Sequence, residues 1–371
     1  MKIKIFQACQ NFYPVKGGIE TLVLETSREL VKMGYEITVV TSNRTTENSK
    51  KLPAKEKIYG INIRRFNFKK ISRYKTSIDA LKFLLSSDFD ILHVHGIGFL
   101  SDIIPLVKSG GNKKIVLNTH GGIFHTKKMM FVKNIYFNTM TRFSAKFADK
   151  IIADSEHDKE LIEKIADKKK ISVIGHGVPW QRLSKIRRNG NGKTLIHFGR
   201  IASNKKIDKI LHAVKILKKS IPDVKFFVVG ADWGELKKLK ELANKLGIKK
   251  NVIFTGEVNE KKLYQIMSKS DLFVLASEYE GFGISVIEAM AAGLPAVVND
   301  IETMKELVQN GKNGFRIDFN DYDCVAKTIL RLLKDKSLRK KIEASNRSYT
   351  KKFDWSFVAK KIDSVYREVI D

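Results

Sequence analysis

Short apolar runs of four to eight residues alternate with amphipathic stretches along this chain, and the pattern is laid down twice. The first half carries candidate strands at Lys2–Cys9, Glu36–Ser42, Ile61–Phe66, Ile91–Val94, Lys114–Thr119, Lys150–Ser155 and Ile171–Gly175. Between the first two, Ile19, Leu22, Val23, Thr26, Leu30 and Met33 recur at helical spacing across Gly18–Met33. The second half repeats the scheme with Thr194–Phe198, Lys225–Gly230, Val252–Thr255, Leu272–Ala276 and Ala296–Asn299, separated by helical stretches such as Asp208–Lys219 and Gly234–Leu246. Short apolar strands alternating with helices argue for parallel sheets covered on both faces. The expected class is therefore α/β: two doubly wound domains facing across a cleft. Ligands of such sheets bind beyond the carboxyl ends of the strands, so the residues that follow each apolar run are the candidates for chemistry.

The expected boundaries follow composition. Residues 1–179 form the first domain and 194–353 the second. Between them, 180–193 is polar and glycine-rich, with Arg187-Arg-Asn-Gly-Asn-Gly192 and no apolar period, and reads as a linker. In the tail, 354–371, Asp354 is placed to cap a last helix, Trp355–Val369.

A length of 371 residues suits two domains of average size. With 29% charged and 43% hydrophobic residues the composition is that of a globular protein. No apolar run reaches the roughly 18–20 residues needed to cross a bilayer. The start, Met1-Lys-Ile-Lys-Ile-Phe-Gln-Ala, lacks a long apolar core and reads as a first strand, not a signal peptide. Two cysteines, Cys9 and Cys324, make neither a disulfide framework nor a zinc cluster. Both facts suit a reducing cytoplasm. The net charge of +29 is shared between both halves. Solvated surface lysines account for it. So does attraction to an anionic membrane face, where each nearby basic residue adds about 1 kcal/mol, or to an anionic lipid-diphosphate acceptor. Charge alone would also permit a nucleic-acid-binding protein, but no winged, zinc or RNA-binding motif is present, and no nucleic-acid partner is expected.

The most specific segment is Glu280-Gly-Phe-Gly-Ile-Ser-Val-Ile-Glu288, followed by Ala-Met-Ala-Ala-Gly-Leu-Pro295. Gly281 and Gly283 let backbone N–H groups approach a ligand closely. The helix that starts behind them aims its positive end at the same place and favours a phosphate. Glu288, in its first turns, can accept two hydrogen bonds from a vicinal diol such as a ribose. Glu280 can accept from a further hydroxyl. Phosphate, ribose and a second sugar together describe a sugar nucleotide. This segment resembles the E-x7-E signature of retaining glycosyltransferases of the large family-4 group, which have two Rossmann-like domains (the GT-B fold). The resemblance covers essentially the whole chain.

Other motifs fall in the order that resemblance implies. Gly17-Gly18 precedes the first helix and can form an anion-friendly nest. Gly199-Arg200-Ile-Ala-Ser-Asn-Lys205 follows Leu195-Ile-His-Phe198 and resembles the family's G-R-x4-K motif. Arg200 offers a planar fork and Lys205 a point charge for a diphosphate. The family usually has glycine after that lysine; here Lys206 stands there, and the expected register puts Lys205 on the phosphate and Lys206 toward solvent, with the reverse assignment as the alternative. Gly256-Glu-Val258 resembles the segment framing the nucleobase, and Phe282, Ile284 and Ser285 lie in the donor-binding stretch, which leaves uridine and guanosine both open. Asn118-Thr119-His120-Gly121 ends a strand, and the resemblance places His120 beside the donor sugar; His93, His95 and His125 are nearby decoys, although His93 and His95 alternate at a strand end and one of them can also line the cleft.

The implied chemistry is transfer of a hexosyl group, mannose or glucose, from a nucleoside-diphosphate sugar to a hydroxyl of a glycan or lipid-linked glycan. No acid in this motif set stands as an obvious nucleophile, so the two-carboxylate hydrolase scheme does not transfer. A front-face, retaining displacement is expected, with His120, Arg200, Lys205 and Glu280 as its catalytic groups. Neither cofactor nor metal is expected. The Asp-x-Asp at Asp88-Phe-Asp90 precedes a strand instead of following one. Phe124–Phe147 interleaves Lys127, Lys128, Lys133, Arg142 and Lys146 with Phe131, Tyr136, Phe137, Met140 and Phe143, and Phe66–Leu85 has a similar character. Both stretches fit a peripheral membrane contact and equally fit helices packed on the first sheet. Two departures from the family are Asp300-Ile-Glu-Thr303, where relatives often carry a glycine pair, and His176-Gly-Val-Pro179, where they often have N-G-V-D. A catalytically silent sugar-nucleotide-binding module is the remaining alternative.

Overall fold

Leu272–Leu275 and Ile91–His95 are buried at every position. A strand that hides both its faces must lie inside a sheet covered on both sides, and the computed structural model has two such sheets. It describes residues 2–45, 49–71, 74–111, 113–121 and 129–371. The strands are β1 (Lys4–Ala8), β2 (Glu36–Ser42), β3 (Lys55–Ile58), β4 (Ile61–Phe66), β5 (Lys69–Ile71), β6 (Tyr74–Thr76), β7 (Ile91–His95), β8 (Lys114–Asn118), β9 (Lys150–Ala153) and β10 (Ile171–Val173), then β11 (Thr194–Phe198), β12 (Lys225–Val229), β13 (Val252–Gly256), β14 (Leu272–Leu275), β15 (Ala296–Asn299) and β16 (Gly314–Ile317).

The first sheet has the order β10-β9-β8-β7-β1-β2-β4-β3, and the second β13-β12-β11-β14-β15-β16. All pairs in them are parallel except β3 with β4. In the first sheet the chain winds outward from β1 through β2 and β4, then returns to β7 on the other side. In the second it winds from β11 through β12 to β13 and returns to β14. Each sheet thus has a point where the winding reverses, between β1 and β7 and between β11 and β14. Crevices open beyond the strand ends at such points.

The chain divides into two units, residues 1–177 with 355–371, and residues 178–354. The final helix, Trp355–Ile370, belongs to the first unit. Its Trp355, Val358, Ile362, Val365, Tyr366 and Val369 are buried with Ile5, Leu22, Val23 and Leu30. Gly177 lies so close to the Trp355 ring that a Cβ there would overlap it. The stretch 180–193 is not a linker but part of the second unit. Trp180–Leu183 is helical, and Trp180 Nε1 donates to Arg347 O at 3.0 Å. Arg188 donates to the carbonyls of Gly293, Ser270 and Asp271 at 2.6, 3.1 and 2.8 Å. One of its polar residues, Arg188, thus binds carbonyl oxygens inside the fold. Phe66–Leu85 is likewise not one amphipathic helix: the antiparallel strands β5 and β6 precede a short helix, Ile78–Ser86.

Candidate active site

The second unit gathers most of the expected site at its winding reversal. Beyond β11, Gly199 (φ +141°) turns the chain away from the sheet. A Cβ on Gly230 would overlap the Gly199 carbonyl oxygen, so glycine alone allows β11 and β12 to end this close together. A short 3₁₀ turn, Ser203–Lys205, brings Lys205 inward, where Nζ meets Glu280 Oε1 at 2.6 Å. Both side chains are about nine-tenths buried. Lys206 takes the left-handed conformation (φ +47°) that glycine adopts without cost, and its Nζ lies 3.4 Å from Glu278 Oε2. Of the two lysines, Lys205 is therefore the one that faces the E-x7-E segment.

Glu280 leads into the glycine loop. Thr303 Oγ1 donates to the Glu280 carbonyl at 2.7 Å, and a Cβ on Gly281 would meet nothing within 4 Å. Gly283 is left-handed (φ +88°) and lies against Met304 and Leu307. The helix that follows, Ile284–Ala291, has no side-chain cap and no acidic residue in its first turn. Its positive end is thus available to an anion. Glu288 is half-buried on that helix, and no hydrogen bond or ion pair holds its carboxylate among the described residues. Burial, with a smaller contribution from Glu260, pushes the carboxyl up to about 7. Arg200 is exposed, and its guanidinium carbon lies 4.7 Å from the Trp233 ring centroid. Phe282 turns its ring onto Phe353, with centroids 5.9 Å apart, so its side chain serves packing. Val258 and Ile284 also pack against the apolar core of this unit, and Ser285 is half-buried.

The first unit holds a second cluster at its own reversal. His120 ends the β8 turn in a left-handed conformation (φ +52°). Asp158 fixes that turn, accepting from Thr119 Oγ1 at 2.5 Å and from the Asp154 and Gly121 amides at 3.0 and 3.4 Å. The His120 ring is bonded on both sides. Nε2 lies 3.0 Å from His95 Nδ1, and Nδ1 lies 3.3 Å from Asp154 Oδ2. His95 Nε2 lies 2.9 Å from Gln7 Oε1, and Gln7 Nε2 donates to Ser27 Oγ at 3.1 Å. Burial holds His95 well below the ordinary imidazole range and takes His93 down to about 3, so both are neutral near pH 7. With Gln7 oriented as it is, His95 donates from Nε2 and accepts at Nδ1 from His120 Nε2–H. On its other side the His120 ring faces the Asp154 carboxylate through Nδ1. His93 is turned away to the final helix, with Nδ1 2.7 Å from the Tyr366 hydroxyl. Asp154, Gln7 and Thr303 carried no motif signal, because their roles exist only through contacts 34, 88 and 23 residues away along the chain.

The glycine pair expected to receive phosphate is arranged differently. Gly17 is extended (φ −171°) and caps the helix Gly18–Lys32, but the Glu20 carboxylate folds back against it. Gly18 O accepts from His176 Nε2 at 2.7 Å. This helix end already carries an acidic side chain, which the spacing of two glycines could not reveal. Asp88 and Asp90 both hold Lys4, through Nζ at 2.6 Å and the backbone amide at 2.7 Å. His125, Lys127 and Lys128 lie outside the described residues. Among the described residues no cluster of metal-ligating side chains occurs, and no helix is long and apolar enough to cross a membrane.

Two doubly wound units, each with its polar cluster beyond the strand ends at the reversal, define the GT-B class of glycosyltransferases. Residues 16–182 match Glycosyltransferase Family 4, and residues 180–349 match Glycosyl transferases group 1. A UDP-Gal:alpha-D-GlcNAc-diphosphoundecaprenol alpha-1,3-galactosyltransferase from Escherichia coli is 30% identical over 73% of each chain. A GDP-mannose:cellobiosyl-diphosphopolyprenol alpha-mannosyltransferase from Xanthomonas oryzae is 29% identical over 99% of this chain and 97% of its own. The fold superposes on sucrose-phosphate synthase from Thermosynechococcus elongatus with a TM-score of 0.81 at 16% identity, covering 99% of both chains. The chain belongs to glycosyltransferase family 4, and the protein is a glycosyltransferase.

Proposed function

We propose that this enzyme transfers a hexosyl group, with retention at the anomeric carbon, from a nucleoside-diphosphate sugar to a hydroxyl of a polyprenyl-diphosphate-linked glycan. The names of the E. coli and Xanthomonas relatives support that substrate class, since both join a nucleotide-linked hexose to a diphosphopolyprenol-linked acceptor. The observation that carries the reading is the buried Lys205–Glu280 pair beside the uncapped start of Ile284–Ala291. An incoming diphosphate competes with Glu280 for the lysine and frees the carboxylate for a sugar hydroxyl. Glu288 accepts the ribose diol.

In the step itself the bond from the anomeric carbon to the diphosphate oxygen breaks and a bond to the acceptor oxygen forms on the same face. The acceptor proton passes to the departing diphosphate. Charge on that leaving group is met by Arg200, Lys205 and the helix start, groups that already hold the diphosphate when the bond breaks, and the reading assigns this role to no metal or cofactor. His120, held against Asp154 through Nδ1, gives up its contact with His95 and donates from Nε2 to the sugar. We further propose that the protein works peripherally at the cytoplasmic face of a membrane. Phe131, Val132, Ile135, Phe143 and Met140 are exposed on the two short helices and the turn between them that span 130–147, interleaved with Lys133, Arg142 and Lys146.

The test is a thermal-shift panel of sugar nucleotides, in which the donor raises stability by mass action. Transfer from that donor to a polyprenyl-diphosphate glycan is then measured. Arg200→Ala should lower turnover at saturating donor about 10²–10³-fold; near-full turnover would remove Arg200 from the leaving-group role.

A further inference from the structure

Trp233 stands at the same strand ends, and its packing gives no reason for a tryptophan. The indole is 61% exposed, whereas Trp355 is 6% exposed and core. Yet its backbone is pinned. Ile201 N donates to Ala231 O and Trp233 N donates to Ile201 O, both at 2.9 Å, with a parallel bridge between Ile201 and Asp232. On the far side Asp232 Oδ1 accepts from the Gly234, Glu235 and Leu236 amides at 2.9, 3.0 and 3.1 Å and so starts the helix Leu236–Lys245. Gly230, packed against the Gly199 carbonyl, fixes where the loop leaves the sheet. The ring is therefore held beside the end of β11 by its main chain and not by burial. Its neighbour there is Arg200, 4.7 Å from the ring centroid.

An exposed arginine samples many rotamers and must give them up to hold a phosphate. A cation–π contact at an exposed site biases that sampling by about two- to fivefold. This is enough to favour one placement of the fork without trapping it. Leucine of similar reach would lack the ring's negative face, whereas phenylalanine would keep one.

We propose that Trp233 is a positioning residue for Arg200, holding the guanidinium poised beyond β11 so that a diphosphate meets a preset fork. The inference rests on the reading that Arg200 receives the donor's diphosphate. It requires Trp233 to act through Arg200 and not by its own contact with the nucleotide.

The experiment is calorimetric titration of GDP and of UDP into the full chain, as wild type, Trp233→Leu, Trp233→Phe, Arg200→Ala and Arg200→Ala/Trp233→Leu, with each variant's melting checked. Trp233→Leu should weaken the nucleotide that binds about two- to fivefold, Trp233→Phe should stay near wild type, and Trp233→Leu should change nothing once Arg200 is absent. An equal loss in both backgrounds, or unchanged affinity in Trp233→Leu while Arg200→Ala binds weakly, overturns this inference alone. Wild-type affinity in Arg200→Ala, or no binding of either nucleotide to the wild type, overturns the diphosphate reading and this inference with it.

Discussion

Glu288 shows how one residue can tie donor binding to pH. Its carboxyl is raised to about 7 by burial and by Glu260. A raised carboxyl means that the free fold prefers the protonated form. That contribution to stability is fully present below the unfolded value and is lost as pH rises through about 7. A diol that donates to the carboxylate prefers the ionised form, so donor affinity should climb between pH 6 and 8. Glu288→Gln should flatten that climb in calorimetric titrations; an unchanged slope would move the titrating group elsewhere. In the first unit, Asp154 faces His120 Nδ1 at 3.3 Å. Asp154→Asn keeps the shape and removes a charge-assisted contact worth about 1.5–3 kcal/mol. Turnover should fall roughly ten- to hundredfold with little change in donor KM, and His120→Ala/Asp154→Asn should lose no more than His120→Ala. An additive double loss would separate the two residues.

At the scale of elements, the final helix is as much a part of the first unit as its strands. Six large side chains, Trp355, Val358, Ile362, Val365, Tyr366 and Val369, are buried from it. At about 1.5–3 kcal/mol each, their loss is comparable to the about 5–15 kcal/mol that holds a typical domain. A chain ending at Asp354 should therefore expose residues 1–177 to protease while 178–354 stays resistant, read by limited proteolysis and mass spectrometry. Resistance of both segments would mean that the helix is dispensable. Among elements, Gly18–Lys32 and Thr194–Phe198 were legible from apolar period alone. The edge strands Lys55–Ile58 and Gly314–Ile317 were not. The first is exposed at three of its four positions. The second keeps three positions only partly covered. Neither therefore carries the unbroken apolar run that marked the inner strands.

For the whole molecule the net charge of +29 matters together with where apolar surface is left open. The helical segment over residues 130–147 exposes Phe131 at 77% and Phe143 at 49% beside basic residues. Binding to vesicles with anionic lipid should be strong at low salt and weaken steeply as ionic strength rises, because screening shortens the reach of surface charge. Phe131→Ser/Phe143→Ser should weaken it at every salt concentration. Absence of vesicle binding at low salt would end the membrane reading.

By itself the sequence determined two parallel sheets and the places where chemistry could sit, because burial on both faces and the position after a strand are written in local period. It pointed to Arg200, Lys205, Glu280, Glu288 and His120 through the resemblance of their motifs to those of the family, which period alone does not supply. Only the tertiary structure decided which groups meet: Lys205 and not Lys206 on Glu280, Asp154 and His95 on His120, Glu20 folded over Gly17, Trp233 under Arg200. Apart from the turn that folds Glu20 back, these partners come from different strand ends and loops brought together by the winding of the sheets. A pattern of period 2 or 3.6 records which face a residue takes and carries no information about what stands opposite it.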